Sequence, residues 1–364
     1  MEKILKMKPW QESASLILAA RQYVQKYNPA NCNYKLLWLK RHQKSHFMPG
    51  MYVFPGGTTD AADSTLKWYE IFAAFGVNND SFASLVPKIA ERPEIYRSRQ
   101  DELPKEISLR ITAIRETFEE SGILICRHKD ANISTNWAKH MSIPKNELQM
   151  WQSKVYNDAK EFLTLCEKLE CYPDLWALHE WRNWFTPTTM PIKRFNTIFY
   201  LACIPLIPYA KYGAIEMEDL KWEMPEDLFS MNISLPPPQQ YEIARLSKIK
   251  NIDKLLDFAM EHNIEEALQL YLPVVTILKD GIVYVFPGDT MYPMDVSLLD
   301  EQQIDKSDIT RCEYREMTPI KNRMEYWNTH IKVIFTDIHG KDNYVEISIP
   351  GYRKDSHENT KNKL

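Results

Sequence analysis

Two segments near the start of the chain have the apolar pattern of buried β-strands. Residues 13–21 and 33–41 are rich in aliphatic and aromatic side chains. A connection marked by Gly and Pro then leads to GMYVFPGG, which ends at Gly57. This order predicts a sheet that runs into a glycine turn.

The middle of the chain changes to helical spacing. Between the Pro and Asn breaks of residues 64–107, the apolar positions recur at helical spacing, which predicts two or three short helices. Residues 108–121 form a stronger helical pattern that ends at Gly122, a residue type common just after a helix. A short strand, ILICR, is predicted next, and residues 137–178 are mostly amphipathic and predict further helix.

The rest of the chain alternates between strand and helix signals. RFNTIFYLACIPL predicts a buried strand, and LPPPQQYEIARL and IDKLLDFAMEH predict two helices. VVTILKDGIVYVF and HIKVIFTDIHGKDNYVEISI predict hairpins around DG and HG turns. The α/β order predicts a domain over residues 10–232, an extension of helices and hairpins over 233–352, and a disordered tail over 353–364.

Composition narrows the classes of function. A formal charge of −4 provides no cationic field for a nucleic-acid backbone, and no apolar run reaches the ~18 residues of a membrane span. The six cysteines lack a CxxC pair and zinc-ligand spacing, which indicates free thiols in a reducing compartment. The nine histidines include no HExxH or HxH motif, so a histidine-based transition-metal site has little support.

The stretch RETFEESG has the most informative charge pattern. Glu116, Glu119 and Glu120 stand at i, i+3 and i+4, so they share one helix face and repel one another by ~0.2–0.5 kcal/mol per pair. A solvated acidic face would tolerate this repulsion, whereas a bound divalent cation would convert it into attraction. The order of glycine turn, apolar helix and R-E-x-x-E-E-x-G favours the cation.

This order resembles the signature of the Nudix hydrolases, G-x5-E-x7-R-E-U-x-E-E-x-G-U, in which U is aliphatic. The second half is present from Arg115 to Ile123, with Thr117 at one aliphatic position. The first half is displaced, because an uninterrupted signature that starts at Gly57 would place the arginine at position 71, 44 residues earlier. Asp63 occupies the place of the first glutamate.

The interruption, with FMPGMYVFPGG before it and AIRETFEESG after it, resembles one branch of that superfamily, the peroxisomal coenzyme A diphosphatases known as Nudix motif 19 proteins. The resemblance implies an α/β/α sandwich with a mixed sheet, a helical insertion at residues 64–107 within the signature, and a C-terminal α+β extension. It also implies Mg²⁺- or Mn²⁺-dependent hydrolysis of CoA and acyl-CoA esters to 3′,5′-ADP and (acyl-)4′-phosphopantetheine.

The same resemblance implies roles for the residues of the signature. Glu119 and Glu120 are expected to bind the metal, together with the backbone carbonyl of Gly57. Glu116 is expected to be a further ligand or the base that takes a proton from water. Arg115 is expected to orient a neighbouring glutamate, and a surface position is the alternative.

Recognition of the CoA 3′-phosphate requires a second anion site. LWLKRHQKSHFMPGMYVFPGG resembles the CoA-recognition segment of related hydrolases, L-L-T-x-R-S-x3-R-x3-G-x3-F-P-G-G. Arg41, aided by Lys40 or Lys44, is the expected phosphate contact, and the turn residues Gly56 and Gly57 are expected to line the substrate site. The alternative is that KRHQKSH is a solvated loop.

Three further features carry weaker signals. VFPGD at residues 285–289 repeats VFPGG, but no acidic helix follows it, so we expect only one active site. Glu216 and Glu218 in EMEDLKW are expected to be surface carboxylates, with a role as ligand or base as the alternative. Residues 362–364, NKL, resemble a peroxisomal import signal and predict an import receptor as a partner, with a cytoplasmic or mitochondrial location as the alternative.

The sequence leaves three functions open. The first is a diphosphatase for CoA and acyl-CoA. The second is a Nudix hydrolase for NADH, ADP-ribose or capped RNA ends, the last being the only nucleic acid expected as a substrate. The third is a non-catalytic binding protein on a degenerate Nudix scaffold, against which the intact Glu116, Glu119 and Glu120 argue.

Overall fold

Three β-sheets organise the part of the chain that the structure describes. A computed structural model describes residues 10–23, 31–86, 92–128, 136–190, 193–231, 233–261, 269–336 and 340–348. The strands are β1 (Gln11–Arg21), β2 (Tyr34–Arg41), β3 (Tyr52–Val53), β4 (Gly56–Thr58), β5 (Cys126–His128), β6 (Cys171–Pro173), β7 (His179–Phe185), β8 (Phe195–Ile204), β9 (Met217–Glu223), β10 (Leu270–Tyr271), β11 (Val274–Leu278), β12 (Gly281–Val285), β13 (Gln303–Lys306), β14 (Asn322–Trp327), β15 (His330–Thr336) and β16 (Asp342–Ser348). The main sheet has the order β10-β7-β8-β1-β2-β3, with β4 also paired to β1 and β9 to β2. Strands β11 to β16 form a second sheet, and β5 and β6 form a two-stranded ribbon.

Helices cover both faces of the main sheet. Those in the described residues are α1 (Lys67–Ala74), α2 (Asn79–Ala83), α3 (Lys105–Ser121), α4 (Lys145–Asn157), α5 (Lys160–Lys168), α6 (Pro237–Leu246), α7 (Ile252–Glu261) and α8 (Arg311–Glu316). Within the described ranges, none of these helices combines the length and the apolar character needed to cross a bilayer.

Strand β1 separates the two main apolar cores. It pairs in parallel with β8 and antiparallel with β2 and β4. Because side chains alternate across a strand, Leu16 and Leu18 pack in the core that contains α3, whereas Ile17 and Ala19 pack in the core that contains α6 and α7. The fold is therefore an α/β/α sandwich with a mixed sheet, which confirms the predicted architecture.

The insertion within the signature is helical, as the sequence predicts. It contains α1, α2 and a 3₁₀ turn at Glu94–Tyr96, while residues 87–91 lie outside the described residues. A backbone hydrogen bond from Leu103 N–H to Ser64 O, 2.8 Å long, joins the two ends of the insertion. The chain therefore leaves the sheet after the glycine turn and returns immediately before α3.

The C-terminal region shares a core with the main sheet. Glu242 on α6 is fully buried and accepts three hydrogen bonds from β7. The donors are Trp181 Nε1 at 2.8 Å, Arg182 Nε at 2.9 Å and Trp184 Nε1 at 2.8 Å. On its other side α6 packs against β15 of the second sheet. Helix α6 thus connects the two sheets through both apolar and charged contacts.

Several elements differ from the sequence-based expectation. The sequence pattern does not predict β7, β9 or β14, and in β7 the buried polar residues Arg182 and Asn183 interrupt the apolar run. ILICR contributes only the start of β5, which pairs with β6 rather than with the main sheet.

The domain boundaries stay predictions, and residues 353–364, including the NKL signal, lie outside the described residues.

Candidate active site

The C-terminal end of α3 is fixed by backbone contacts. Gly122 follows the helix with a φ of 72°, a left-handed conformation that glycine adopts without strain. The loop before β9 then caps the last carbonyl groups. Lys211 N–H donates to Ser121 O at 2.8 Å, and Gly213 N–H donates to Glu120 O at 2.9 Å. The turn of α3 that carries the acidic residues is therefore held from outside the helix.

A buried ion pair joins the two halves of the interrupted signature. Asp63 lies in the 3₁₀ turn that precedes the insertion, and Arg115 lies on α3 beyond it. Arg115 Nε and Nη2 donate to the two Asp63 carboxylate oxygens at 2.8 and 2.9 Å. The Thr112 hydroxyl donates to the same carboxylate at 2.8 Å. The aspartate at the first-glutamate position is thus the bidentate partner of the arginine.

Arg115 also contacts the acidic residues of its own helix. Its Nη1 lies 2.9 Å from Glu116 Oε1 and 2.5 Å from Glu119 Oε1. Its Nη2 donates to Thr58 O, at 3.2 Å, in the glycine turn. These contacts support the orienting role that the sequence predicts for Arg115, because each of its three guanidinium nitrogens donates to an oxygen of the protein.

The glycine turn packs directly against the acidic face of α3. Gly56 N–H donates to Glu120 Oε2 at 2.9 Å. Gly57 has no room for a side chain, because an added Cβ would lie 2.4 Å from the Glu116 carboxyl carbon. Thr117, which replaces the usual aliphatic residue, is accommodated because its hydroxyl donates to Ala113 O at 2.7 Å. The backbone of the turn and the carboxylates of α3 therefore border the same space.

Burial raises the pKa of all three carboxyl groups. It raises the pKa of Glu116 to about 8, although Arg115 opposes this shift. Burial also raises the pKa of Glu119, again against the effect of Arg115. The pKa of Glu120 lies well above its ordinary value because of burial and, secondarily, the nearby Glu116. The protein's own cations therefore do not fully offset the negative charge that this cluster would carry.

The same cluster fits a divalent cation. Glu120 Oε1 is buried and has no hydrogen-bond partner among the described residues. Carboxylate and backbone carbonyl oxygens are the donors that hard divalent cations prefer. The residues that could hold such an ion are Glu116, Glu119, Glu120 and Gly57 through its carbonyl.

A cavity of about 810 Å³ opens beside the cluster, and Glu116, Gly56 and Gly57 are part of its lining. Its floor runs across four neighbouring strands, β4, β1, β8 and β7. Each strand contributes one lining residue that lies opposite its neighbour in the sheet register: Thr58, Ser13, Thr197 and Trp184. Three strand spacings of ~4.8 Å separate the two ends of this row by roughly 14 Å. The cavity is therefore an elongated groove across the sheet.

The end of the groove distant from the glutamates is apolar. It is lined by Trp184, Phe185, Met190, Pro273, Tyr284 and Phe286. Phe286 packs on Trp184 with 5.5 Å between ring centroids, and it belongs to VFPGD, the second copy of the glycine-turn sequence. Asp289 of that copy pairs with Arg323 at 2.7 and 2.6 Å. The second copy thus forms part of the wall of the same groove, and its acidic residue forms a buried ion pair.

The predicted cationic residues separate into two groups. Arg41 and Lys44 line the groove, and Arg41 Nη1 lies 4.0 Å from Glu120 Oε1. Lys40 does not line the groove, since it pairs with Glu218 at 2.7 Å. The structure brings Arg41 and Lys44 to the candidate site and leaves Lys40 outside it.

Two further polar residues border the groove, and the sequence pointed to only one of them. Glu216, for which a role as ligand or base is the alternative to a surface position, lines the groove with a half-exposed side chain, and its Oε2 lies 3.7 Å from Arg41 Nη2. Tyr156 on α4 also lines the groove, and burial followed by the charge of Glu216 raises its pKa. Glu216 follows the loop that caps α3, and only the fold brings α4 to this point.

The assembled signature and the α/β/α sandwich define a hydrolase of the Nudix class. A solved structure of a Nudix hydrolase from Alicyclobacillus acidocaldarius matches 69% of this chain and 97% of its own chain, with a TM-score of 0.50 and 19% identity. This likeness supports the fold.

The chain belongs to the NUDT19 Nudix domain family, whose model matches residues 10–246. The acyl-coenzyme A diphosphatase NUDT19 of Xenopus laevis is 35% identical over 82% of this chain and 84% of its own length. The Homo sapiens protein of the same description is 33% identical over 80% of this chain and 82% of its own length. Nudix hydrolases generally use divalent metals, in agreement with the oxygen donors of the cluster.

Gly57→Ala tests whether the turn and the carboxylates share a metal site. The added methyl group must displace the flexible end of Glu116, so we expect a folded protein that binds Mn²⁺ about 10- to 100-fold more weakly in a calorimetric titration. Gly76→Ala is the control for backbone strain without a contact: its φ of 78° strains an added Cβ, but no heavy atom lies within 4 Å of that Cβ, so this variant should lose some stability and keep its Mn²⁺ affinity. Equal Mn²⁺ affinity in Gly57→Ala and wild type would contradict the shared site.

Proposed function

We propose that the chain is a diphosphatase that hydrolyses CoA and acyl-CoA esters to 3′,5′-ADP and (acyl-)4′-phosphopantetheine, with Mg²⁺ or Mn²⁺ as the cofactor. The observation that carries this proposal is the single groove that joins the acidic cluster to an apolar end. CoA has the same distribution of polarity, with a nucleotide diphosphate at one end and a long pantetheine arm at the other. The two relatives described as acyl-coenzyme A diphosphatases support this substrate class.

The acidic cluster is the reaction centre in this proposal. An ion held by Glu119, Glu120 and the Gly57 carbonyl would supply positive charge to the diphosphate oxygens and make a nearby water more acidic. The protein prepares the donors in advance, because Arg115 holds Glu119 and the Gly56 amide holds Glu120. The donor oxygens therefore need little rearrangement when the cofactor and substrate bind.

Glu116 is the best-placed residue for proton transfer. It is the one member of the three-glutamate cluster that lines the large groove. Its carboxylate also borders the Gly57 backbone, so a water between the turn and the diphosphate would lie within its reach. We assign to Glu116 the acceptance of the proton from the attacking water, and the same carboxylate would be able to bind the cofactor.

Arg41 is placed to bind the diphosphate rather than the 3′-phosphate. Its guanidinium lies beside Glu120, next to the reaction centre, and its buried Nε has no hydrogen-bond partner among the described residues. Lys44 lines the groove on the loop that follows β2 and is exposed. We therefore assign the diphosphate to Arg41 and the 3′-phosphate to Lys44, which modifies the role that the sequence predicts for Arg41.

The apolar end of the groove would hold the pantetheine arm and an attached acyl chain. Its side chains come from β7, from the β7–β8 connection and from the C-terminal region, including Phe286. The volume of about 810 Å³ falls within the ~300–1,000 Å³ range of small-molecule sites. The distance of roughly 14 Å across the four strands leaves room for an extended arm.

A substrate panel tests the function directly. We expect metal-dependent hydrolysis of CoA and acyl-CoA with higher kcat/KM than of NADH, ADP-ribose or capped RNA.

Glu119→Gln and Glu120→Gln should each lower kcat by at least about 100-fold, since each removes charge at the reaction centre while keeping side-chain shape. The exposed helical variant Glu70→Gln is the control for a change of charge alone. A preference for ADP-ribose or NADH, or a fully active Glu120→Gln variant, would contradict the proposal.

Arg41→Ala and Lys44→Ala separate the two phosphate sites. Arg41→Ala removes a charge-assisted bond to the diphosphate, so kcat/KM should fall about 10- to 100-fold on both CoA and dephospho-CoA. Lys44 is exposed, so its loss should lower kcat/KM about two- to fivefold on CoA only. If Arg41→Ala spares dephospho-CoA, then Arg41 binds the 3′-phosphate, as the sequence pattern predicts.

Met190→Ala tests the position of the acyl chain. Removing this half-buried wall residue should lower kcat/KM for a long-chain acyl-CoA about tenfold, because less apolar surface is covered on binding. The kcat/KM for CoA itself should stay within about twofold of wild type. Met150→Ala, an exposed methionine on α4, is the matched control. An equal loss on CoA and acyl-CoA would show that Met190 does not contact the acyl chain.

A further inference from the structure

Three buried thiols meet at one point beyond the end of α3. Cys126 lies on β5, Cys171 on β6 and Cys166 on α5, and all three are fully buried. Their Sγ atoms all lie within 4.8 Å of one another. The other buried cysteines of the described residues, Cys32 and Cys203, are not part of this group.

The pairing of β5 with β6 places a fourth donor on the same face of the ribbon. Cys126 and His128 are two residues apart on β5, so their side chains lie on one face. His128 stands opposite Cys171 in the antiparallel register, and opposite residues share a face. Helix α5 packs against β6 and brings Cys166 to this face.

These four side chains have the chemistry of a structural zinc site. Thiols are weak hydrogen-bond donors, so three of them gain little from mutual contact in a dry interior. Thiolates and imidazole are preferred zinc ligands, and a Zn–S distance of ~2.3 Å places the sulfurs of a tetrahedral site about 3.8 Å apart. The three sulfurs lie within 4.8 Å of one another, so they reach this spacing if each pair approaches by no more than about 1 Å.

We propose that Cys126, Cys166, Cys171 and His128 form a closed zinc site that stabilises the fold. The His128 side chain is exposed and lies outside the three-thiol group, so it reaches the ion by a side-chain rotation. The thiol protons are released to solvent when the ion binds. The CxxC and HxH criteria miss this set, because its ligands are spaced as C-x-H and C-x4-C.

The zinc site would connect α5 to a ribbon that has little stability of its own. Strands β5 and β6 contain only three residues each, and an isolated two-stranded sheet is marginally stable. Because β5 follows α3 closely, the ion would also support the segment that leaves the catalytic helix. The four protein ligands leave no open position for substrate, so the role is structural.

The test measures metal in the full-length protein purified without chelator or a histidine tag. We expect about one zinc ion per chain by elemental mass spectrometry. Cys166→Ser and Cys171→Ser should lose this zinc. Cys203→Ser is the matched control, because Cys203 is equally buried but lies outside the cluster, and it should keep the zinc.

Cobalt substitution gives a second readout that the acidic cluster cannot imitate. Co²⁺ bound by cysteines shows a sulfur-to-metal charge-transfer band, whereas carboxylate-bound Co²⁺ does not. We expect this band in wild type and in Cys203→Ser, and we expect His128→Ala to weaken Co²⁺ binding. A folded wild-type protein without zinc and without this band would overturn the proposal, even if the cysteine variants fail to fold. A disulfide within the three-cysteine cluster of the freshly purified protein would overturn it as well.

Discussion

The ion pair between Asp63 and Arg115 is the contact on which the active-site geometry depends. It is buried and bidentate, and it joins the residues just before the helical insertion to the catalytic helix after it. With two of its nitrogens bound to Asp63, Arg115 directs the remaining one to Glu116 and Glu119. The positions of the glycine turn and of the acidic residues are thereby coupled, although a long stretch of sequence separates them.

The C-terminal region takes part in the proposed site and is not a peripheral addition. Its helix α6 places Glu242 beneath the indole groups of Trp181 and Trp184, and this contact fixes the strand that forms the far floor of the groove. Its second sheet supplies Tyr284 and Phe286 to the groove wall. A Nudix domain without this region would keep the acidic cluster but would lose the part of the apolar wall that Pro273, Tyr284 and Phe286 form. The groove is therefore built from both parts of the chain, whereas the acidic cluster comes from the main domain alone.

The catalytic helix and the glycine turn could be predicted from sequence, because each depends on local signals. The apolar face of α3, its acidic triad and its terminal Gly122 all lie within one short segment. Strand β7 could not be predicted in this way, because its charged residue Arg182 is buried only through its contact with Glu242, far along the chain. Tyr156 and the three-cysteine cluster were missed for the same reason, since tertiary contacts alone bring their members into place.

The contact between the two ends of the insertion changes how the Nudix signature is to be understood. The hydrogen bond between Leu103 and Ser64 holds the two ends of the excursion side by side, so the residues before and after it stay close in space despite the length of the segment between them. Extending a loop whose ends are already fixed carries only a slowly growing entropic penalty. The active site therefore requires that the two halves of the signature lie together in space. The number of residues between these two halves is free to vary during evolution.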